Sequence, residues 1–381
     1  MTEKEILEDA YKTASQIVQE NTFEQFENII TSQVDVFIDA IENDKSLTQV
    51  IFTSLLKKII TPKQDIRLHM KKFKNGYSAR VLDTKVTSPF FKDYFPKYAN
   101  KETAFLTKAT RAEVKWDMKE GQKLPFRNKK LVLPFISLIA DIQNQKFDIK
   151  TCLIYIFAKL IALSKIEEAL FESTNLQSEN LETLNIHLII KMLQEHFESK
   201  ISSRLPVIAI YSIYQALLPN FERYKNKKLV ILQVHTSSDK HGFGDIEIYT
   251  TDNQPFEIVE IKHNIPINKY LIFDIAKKTQ NIKIDRYYIL TTFANGFESA
   301  ESEKEVTEYI LNLKKIQGID IIANGIITTL KYYLRFLDNY QEFIDVYTQN
   351  LIKDAKNSTE IKNFHLEKWT EILKKYELSI G

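Results

Sequence analysis

Cysteine is almost missing from this chain of 381 residues: Cys152 stands alone. A disulfide within the chain and a cluster of thiolate metal ligands are both excluded. Cys152 lies in the apolar stretch 151–163 and is expected to be a small buried hydrophobe. Glycine is also scarce, at eight residues, and no Gly/Ser linker, low-complexity tract or internal repeat is present. The parts are therefore expected to pack as one body rather than swing on tethers. No GxxxxGK[ST] phosphate loop is found, which argues against ATP hydrolysis, and no nucleophile elbow for a serine triad. Long hydrophobic runs are missing too. The stretch 152–163 is interrupted by Lys159 and is too short to span a bilayer. The first residues, with Glu3, Lys4, Glu5, Glu8 and Asp9 close together, lack the apolar run of a signal peptide, so the cytoplasm is the expected compartment.

An excess of one charge sign is absent as well, since 52 basic residues nearly balance 50 acidic ones for a net charge of +2. The distribution is uneven. Between Lys57 and Arg80 eight basic residues face the single acid Asp65. A second basic run, Lys108, Arg111, Lys115, Lys119, Lys123, Arg127, Lys129 and Lys130, is diluted by Glu113, Asp117 and Glu120. A positive surface can thus exist on a nearly neutral protein.

Periodicity supplies the organisation. Residues 3–60 carry apolar stripes at helical spacing, Ile6, Ala10, Ala14, Ile17 and Val18 forming one and Phe23, Phe26, Ile29 and Ile30 another. Residues 62–130 are irregular and hold Pro62, Pro89, Pro96, Gly121 and Pro125. Helices resume from Leu131 to Tyr224, with breaks at 144–148 and 174–180. The last fifty residues are again helical, and their aromatics Tyr332, Tyr333, Phe336, Tyr340, Phe343 and Tyr347 read as a packed stripe or subunit contact rather than a base-stacking platform. The expected division is a helix-rich region 1–200, a core 201–330 and a C-terminal helical segment 331–381.

Within that core two short segments alternate with period two: Gly244-Asp245-Ile246-Glu247-Ile248-Tyr249 and, after the polar turn Thr250 to Pro255, Phe256-Glu257-Ile258-Val259-Glu260-Ile261-Lys262-His263. Alternation puts Asp245 and Glu247 on one strand face, and Glu260 and Lys262 likewise on one face. A tight turn brings both acids and the lysine to one end of a hairpin. Paired carboxylates repel and raise each other's pKa unless a cation neutralises them. A hard divalent ion such as Mg²⁺, bound through one or two carboxylates with water and phosphate completing its shell, is the natural partner. The lysine can then hold a phosphate oxygen or help activate water, which is the chemistry of phosphodiester hydrolysis. Acid-x-Lys triplets recur at 113–115, 117–119, 148–150 and 360–362, but only the copy at 260–262 follows another acid-bearing strand. A solvated hairpin face with a cross-strand ion pair is the bland alternative.

Around the hairpin the expected order is a helix Pro206 to Tyr224, a strand Leu229 to His235, the two acidic strands, a helix Tyr270 to Gln280, a strand Arg286 to Thr292, a helix Ser299 to Ile316 and a strand Ile319 to Ala323. In that order the chain resembles the PD-(D/E)xK nuclease superfamily, with Gly244 at the family's proline position. The stretches 203–207, 235–239, 244–247, 260–263 and 286–290 are similar to type II restriction endonucleases of the SacI-like kind. The resemblance implies a mixed α/β fold, a helix-rich protein with a restriction-endonuclease-like αβββαβ core whose mixed central sheet is flanked by helices. It implies Asp245 and Glu260 as metal ligands, the Ile261 carbonyl as a third, Lys262 as the catalytic lysine, and Mg²⁺ as cofactor with Mn²⁺ able to substitute. Glu222 is the one carboxylate between Arg204 and Tyr224 that such a nuclease could add. A homodimer and a cognate DNA methyltransferase follow from the same likeness.

The expected DNA contacts are Arg67, Lys71, Lys72, Lys74, Asn75 and Tyr77 in the first basic segment, Lys108 and Arg111 in the second, Arg204, and the loop residues His235, Asp239, Lys240 and His241 before Asp245. His263 alternates away from Lys262 and reads as supporting the site. The activity expected is Mg²⁺-dependent, sequence-specific cleavage of double-stranded DNA. Two rivals are a repair-type nuclease of the same fold without short-sequence specificity and a non-catalytic DNA-binding or assembly protein.

Overall fold

The computed structural model describes residues 2–178, 184–232 and 242–378. The chain divides into two compact units, Met1–Ala169 and Leu170–Gly381. The first unit opens with α1 (Glu3–Glu20), started by a reciprocal cap in which the Thr2 hydroxyl accepts from the Glu5 N–H and the Glu5 carboxylate accepts from the Thr2 N–H. Asn21 ends it in the left-handed conformation. Helices α2 (Asn28–Asp39) and α3 (Ile41–Ile60) follow, then the irregular stretch expected from its prolines, with short α4 (Ala79–Leu82), α5 (Ser88–Tyr94) and α6 (Lys108–Arg111). Helix α7 (Val132–Asn144) and the part of α8 (Ile149–Ser178) up to Ala169 complete it. Leu7, Ile30, Phe52, Leu55, Ile136, Cys152 and Leu153 are buried in one core, so the lone cysteine is the packed hydrophobe its surroundings imply.

The irregular stretch is pinned by one carboxylate. Asp83 is fully buried and accepts from Gln49 Nε2 at 2.7 Å, Ser88 Oγ at 3.0 Å and the Ala104 N–H at 2.8 Å, with the Thr87 and Thr103 hydroxyls also on it. A buried charge needs such a set of donors. It fastens α3 to segments that have no sheet or long helix of their own.

The second unit holds α9 (Ile186–Phe197), α10 (Arg204–Leu217), β1 (Lys227–Leu229), β2 (Ile246–Thr250), β3 (Pro255–Lys262), α11 (Lys269–Thr279), β4 (Arg286–Thr291), α12 (Ala300–Gln317), β5 (Asp320–Gly325), α13 (Ile326–Leu334), α14 (Tyr340–Asn357) and α15 (Asn363–Leu378). The strands form one mixed sheet in the order β1-β2-β3-β4-β5, antiparallel across the first three and parallel across the last three. The fold is mixed α/β and helix-rich. The two parallel crossovers place α11 and α12 on one face, where Ile272, Ile275, Val306 and Leu313 bury Ile258, Tyr287, Ile289 and Ile321. The other face, with Ile246, Ile248, Val259, Ile261 and Leu290, packs in a cluster with residues of α9, α10, α13, α14 and α15. Asn268 caps α11 through the N–H groups of Tyr270 and Leu271, and Gly318 closes α12 at φ 74.

Two expectations change here. The division falls inside α8, where no shift in composition marks it, rather than near residue 200. Residues 331–381 are not a separate segment, because Phe343, Tyr347 and Trp369 lie in the same core as Ile246 and Val259. The C-terminal aromatics divide accordingly: Phe343 and Tyr347 are buried, whereas Tyr332 and Phe336 are exposed beneath the Arg335 guanidinium.

At the start of α10, Arg204 is buried and its Nε and Nη2 lie 3.0 and 2.7 Å from Asp354 Oδ2 on α14. This overturns its expected DNA contact, since the guanidinium is spent inside the unit. Asp354→Ala, which leaves that buried charge without its carboxylate, is expected to cost about 3 kcal/mol in urea denaturation. The pair Arg204→Met, Asp354→Leu should recover most of the loss, and a single variant as stable as the parent would contradict the role of the pair.

Candidate active site

The alternation expected of β2 and β3 is realised, and the register decides what meets what. Ile246 pairs with Val259 and Glu247 with Ile258. One residue earlier, the Asp245 N–H donates to the Val259 carbonyl at 2.9 Å. Asp245 is therefore the cross-strand neighbour of Glu260, on the sheet face covered by α11 and α12. The Ile261 N–H returns a bond to Asp245 Oδ2 at 2.7 Å. Ile261 itself lies past the last register pair of the two strands, at the open end of the hairpin. Lys262, two residues after Glu260 on the same face, places Nζ 2.6 Å from Glu260 Oε1. The sequence-derived trio is thus brought together.

Three participants escaped sequence reasoning. Lys278, in the last turn of α11, brings Nζ to 3.7 Å from Glu260 Oε2. Tyr287 on β4 is buried with its hydroxyl 2.6 Å from the Phe243 carbonyl and 3.4 Å from Glu260 Oε2. Burial holds its pKa well above the usual value, so the hydroxyl stays a donor. Glu247 is buried and accepts from the N–H groups of Phe243 and Gly244 at 2.5 and 3.3 Å, folding the approach to β2 back on itself. Two of the three come from elements distant in sequence; Glu247 carried a signal in its shared face with Asp245, and Tyr287 lay in the resembling stretch 286–290 without a role, whereas Lys278 carried none.

Electrostatics mark the spot. Burial, and then the Glu260 carboxylate beside it, push the Asp245 pKa up to about 6, against the lowering influence of the Ile261 N–H, Lys262 and Arg204. The contrast with Glu257 is instructive. It alternates to the other face, where it is fully buried and bonded by the Tyr224 hydroxyl at 2.9 Å and Arg223 at 3.2 Å. Glu257 is a closed structural carboxylate, whereas Asp245 and Glu260 sit at a sheet end.

Among the described residues no group of three or more His, Cys, Asp or Glu side chains is gathered to hold a metal. The site offers two carboxylates and the Ile261 backbone carbonyl, an all-oxygen set that suits Mg²⁺ or Mn²⁺ with water filling the remaining positions. Glu222 does not add to it. Its side chain is 85% exposed and pairs with Lys225 at 3.3 Å. It precedes β1, where Lys227 pairs with Thr250 at the far end of β2, roughly 17 Å along the strand from Asp245. Because the chain turns back from α10 into β1, the start of α10 and not its end approaches the acids, and the charged side chain there is Arg204.

His263 bonds Thr292 Oγ1 at 2.9 Å through Nδ1 and Ser202 Oγ at 3.0 Å through Nε2, joining the strand end to its neighbours. His235, Asp239, Lys240 and His241 lie outside the described residues. Concavities of about 830 Å³ beside Glu195 and Lys368 and about 540 Å³ beside Tyr270 and Phe273 do not include the trio.

In the first unit, the two basic runs meet. The Trp116 N–H donates to the Arg67 carbonyl, the Trp116 ring stacks on His69 at 3.9 Å, and Lys72 pairs with Glu113. Lys71, Lys74, Asn75, Lys108 and Arg111 are exposed along this joined edge, and Lys72 is exposed within its ion pair. Two residues are corrected. Tyr77 is buried, with the Lys57 ammonium 5.4 Å from its ring centre, and cannot reach a nucleic acid. Arg67 is half-buried and engaged by both oxygens of Asp65 at 2.8 Å. The turn is tight: Asn75 sits at φ 62 and a Cβ on Gly76 would fall 2.1 Å from the Met70 carbonyl.

Comparison with protein-family models and with curated proteins gives no match. Among the described residues no helix is long and apolar enough to cross a membrane.

An unfolded aspartate ionises near 3.8 and Asp245 near 6, so between those values the folded chain binds more protons and loses stability as pH rises. Asp245→Asn is therefore expected to stabilise the metal-free protein by about 1–2 kcal/mol at pH 7.5 and not at pH 4, measured by urea denaturation in chelator. An equal effect at both pH values would contradict the electrostatic origin. Gly244 tests the backbone: a Cβ there would meet Ile258 Cγ2 at 2.5 Å and the Val259 carbonyl at 2.8 Å. Gly244→Ala is expected to cost about 1–3 kcal/mol in thermal unfolding, and no change would show that the close approach is relaxed at no cost.

Proposed function

We propose that this protein is a Mg²⁺-dependent endodeoxyribonuclease of the PD-(D/E)xK kind, a type II restriction endonuclease that hydrolyses both strands of duplex DNA at a short sequence. The observation that carries the reading is the side-by-side placement of Asp245 and Glu260 at a sheet end, with Lys262 Nζ 2.6 Å from Glu260. A structural hairpin has no need of two adjacent acids, one of them with its pKa pushed up to about 6.

Asp245, Glu260 and the Ile261 carbonyl would hold the metal. When bound, a divalent ion supplies a more acidic water and a counter-charge for the phosphoryl oxygens. Lys262 orients the attacking water and offsets charge as the phosphorus is attacked, and the Ile261 N–H fixes one Asp245 oxygen, which leaves the other for the metal. Tyr287 fixes the Phe243 carbonyl just before Asp245. The exposed basic edge of the first unit, Lys71, Lys74, Lys108 and Arg111, supplies phosphate contacts, and Asn75 on its tight turn supplies a group able to read a base edge. A homodimer matches a two-fold symmetric site, and a cognate methyltransferase would protect the host's own copies in the same cytoplasm.

Purified protein incubated with long unmethylated DNA, with and without Mg²⁺, is expected to give discrete fragments sharing one short terminal sequence. Asp245→Ala and Lys262→Ala should each lower the rate by about a hundredfold or more. A smear would favour a repair-type nuclease, and intact DNA under both conditions a non-catalytic binder. Charge reversal at Lys71, Lys74, Lys108 and Arg111 should weaken DNA binding and flatten its salt dependence by about one in slope per lost contact. An unchanged slope would remove this edge from the DNA interface.

A further inference from the structure

Each oxygen of Glu260 faces its own ammonium. Lys262 Nζ lies 2.6 Å from Oε1 and Lys278 Nζ 3.7 Å from Oε2. The two contacts differ in kind. Lys262 is on the same strand, 24% exposed and hydrogen-bonded, whereas Lys278 arrives from α11, is 42% exposed and stands just beyond hydrogen-bond distance. Helix α11 is fixed over the sheet by buried Ile272, Ile275 and Ala276, so its last turn holds Lys278 near the site while the long side chain keeps its freedom.

The formal charges of Asp245, Glu247, Glu260, Lys262 and Lys278 sum to −1. A divalent ion bound to Asp245 and Glu260 would leave one positive charge in excess in a partly buried place. Metal alone is then opposed by like charge, and an anion arriving with it removes the opposition. A phosphodiester backbone brings one negative charge per phosphate.

We propose that Lys278 is a second phosphate-binding cation of this site: it neutralises Glu260 when no metal is present and turns to a DNA phosphate when a metal takes the carboxylate, so that metal and DNA bind cooperatively. This rests on the nuclease reading above. Removing the charge should have opposite effects on the two ligands, which loss of a merely structural contact would not produce. By thermodynamic reciprocity, DNA must tighten metal binding by the same factor that metal tightens DNA binding, and that factor should shrink in the variant.

The test is titration of the full-length protein with Ca²⁺ or Mn²⁺ by calorimetry, with and without a DNA duplex containing the cleaved sequence, for the parent, Lys278→Gln, Lys278→Arg, Glu260→Gln and Asp245→Ala. Lys278→Gln is expected to bind metal roughly fivefold more tightly without DNA, a size set by one charge a few ångströms away in a wet site. It should bind DNA several-fold more weakly in Ca²⁺, with a salt slope lower by about one. Lys278→Arg should keep the parental coupling. If Glu260→Gln abolishes metal binding but Lys278→Gln leaves metal affinity unchanged or lowers it, the role of Lys278 is overturned and the nuclease reading stands. If Glu260→Gln and Asp245→Ala both bind metal as the parent does, the metal site itself is wrong and both readings fall together.

Discussion

Two backbone hydrogen bonds around Asp245, one given to the Val259 carbonyl and one received from the Ile261 N–H, set where the acidic pair stands. The first extends the β2–β3 pairing by one residue and so makes Asp245 the neighbour of Glu260 instead of a loop side chain. The second spends one carboxylate oxygen on the strand. Both depend on Gly244, whose missing side chain lets the backbone close on Ile258 and Val259. Register, close approach and chemistry are therefore one constraint: a slip of one residue would turn Asp245 to the opposite face of the sheet.

The surroundings divide the charged groups by what each is bonded to. Glu257, one turn of the pleat away on β3, is sealed under Tyr224 and Arg223. Arg204 is sealed against Asp354, close enough to Asp245 to favour its ionised form. Glu260 is the carboxylate shared between two lysines of unequal exposure. A buried, fully paired charge serves the fold, and a charge at a strand end shared between partners of unequal exposure can exchange one of them for a ligand.

The basic surface follows the same logic in the first unit. Two runs separated by about thirty residues in sequence become one edge because Trp116 stacks on His69 and bonds to Arg67. The Trp116 ring and the Arg67 backbone carbonyl do the holding, and the Arg67 guanidinium is spent on Asp65, which leaves the lysines and Asn75 outside. Sequence reasoning treated Tyr77 and Arg67 as contacts of equal standing with Lys71 and Lys74. Composition does not distinguish a cation that builds a surface from one that lies on it.

Local pattern alone determined much: the period of two through Asp245 and Lys262, the turn between the strands, and the order of helices and strands from residue 204 to 325, although α10 stops at Leu217 short of the expected Tyr224 and the first strand, expected from Leu229, is Lys227–Leu229. These are short-range properties, written in side-chain alternation and in caps such as Asn268 and Ser299. Tertiary structure alone decided that Glu222 stands at the wrong end of the sheet, that Arg204 is buried, that α8 crosses the division between units, and that Lys278 and Tyr287 reach Glu260. The reason is physical. Which end of a helix meets which end of a strand depends on packing between segments far apart in the chain, and periodicity within one segment carries no record of its partner.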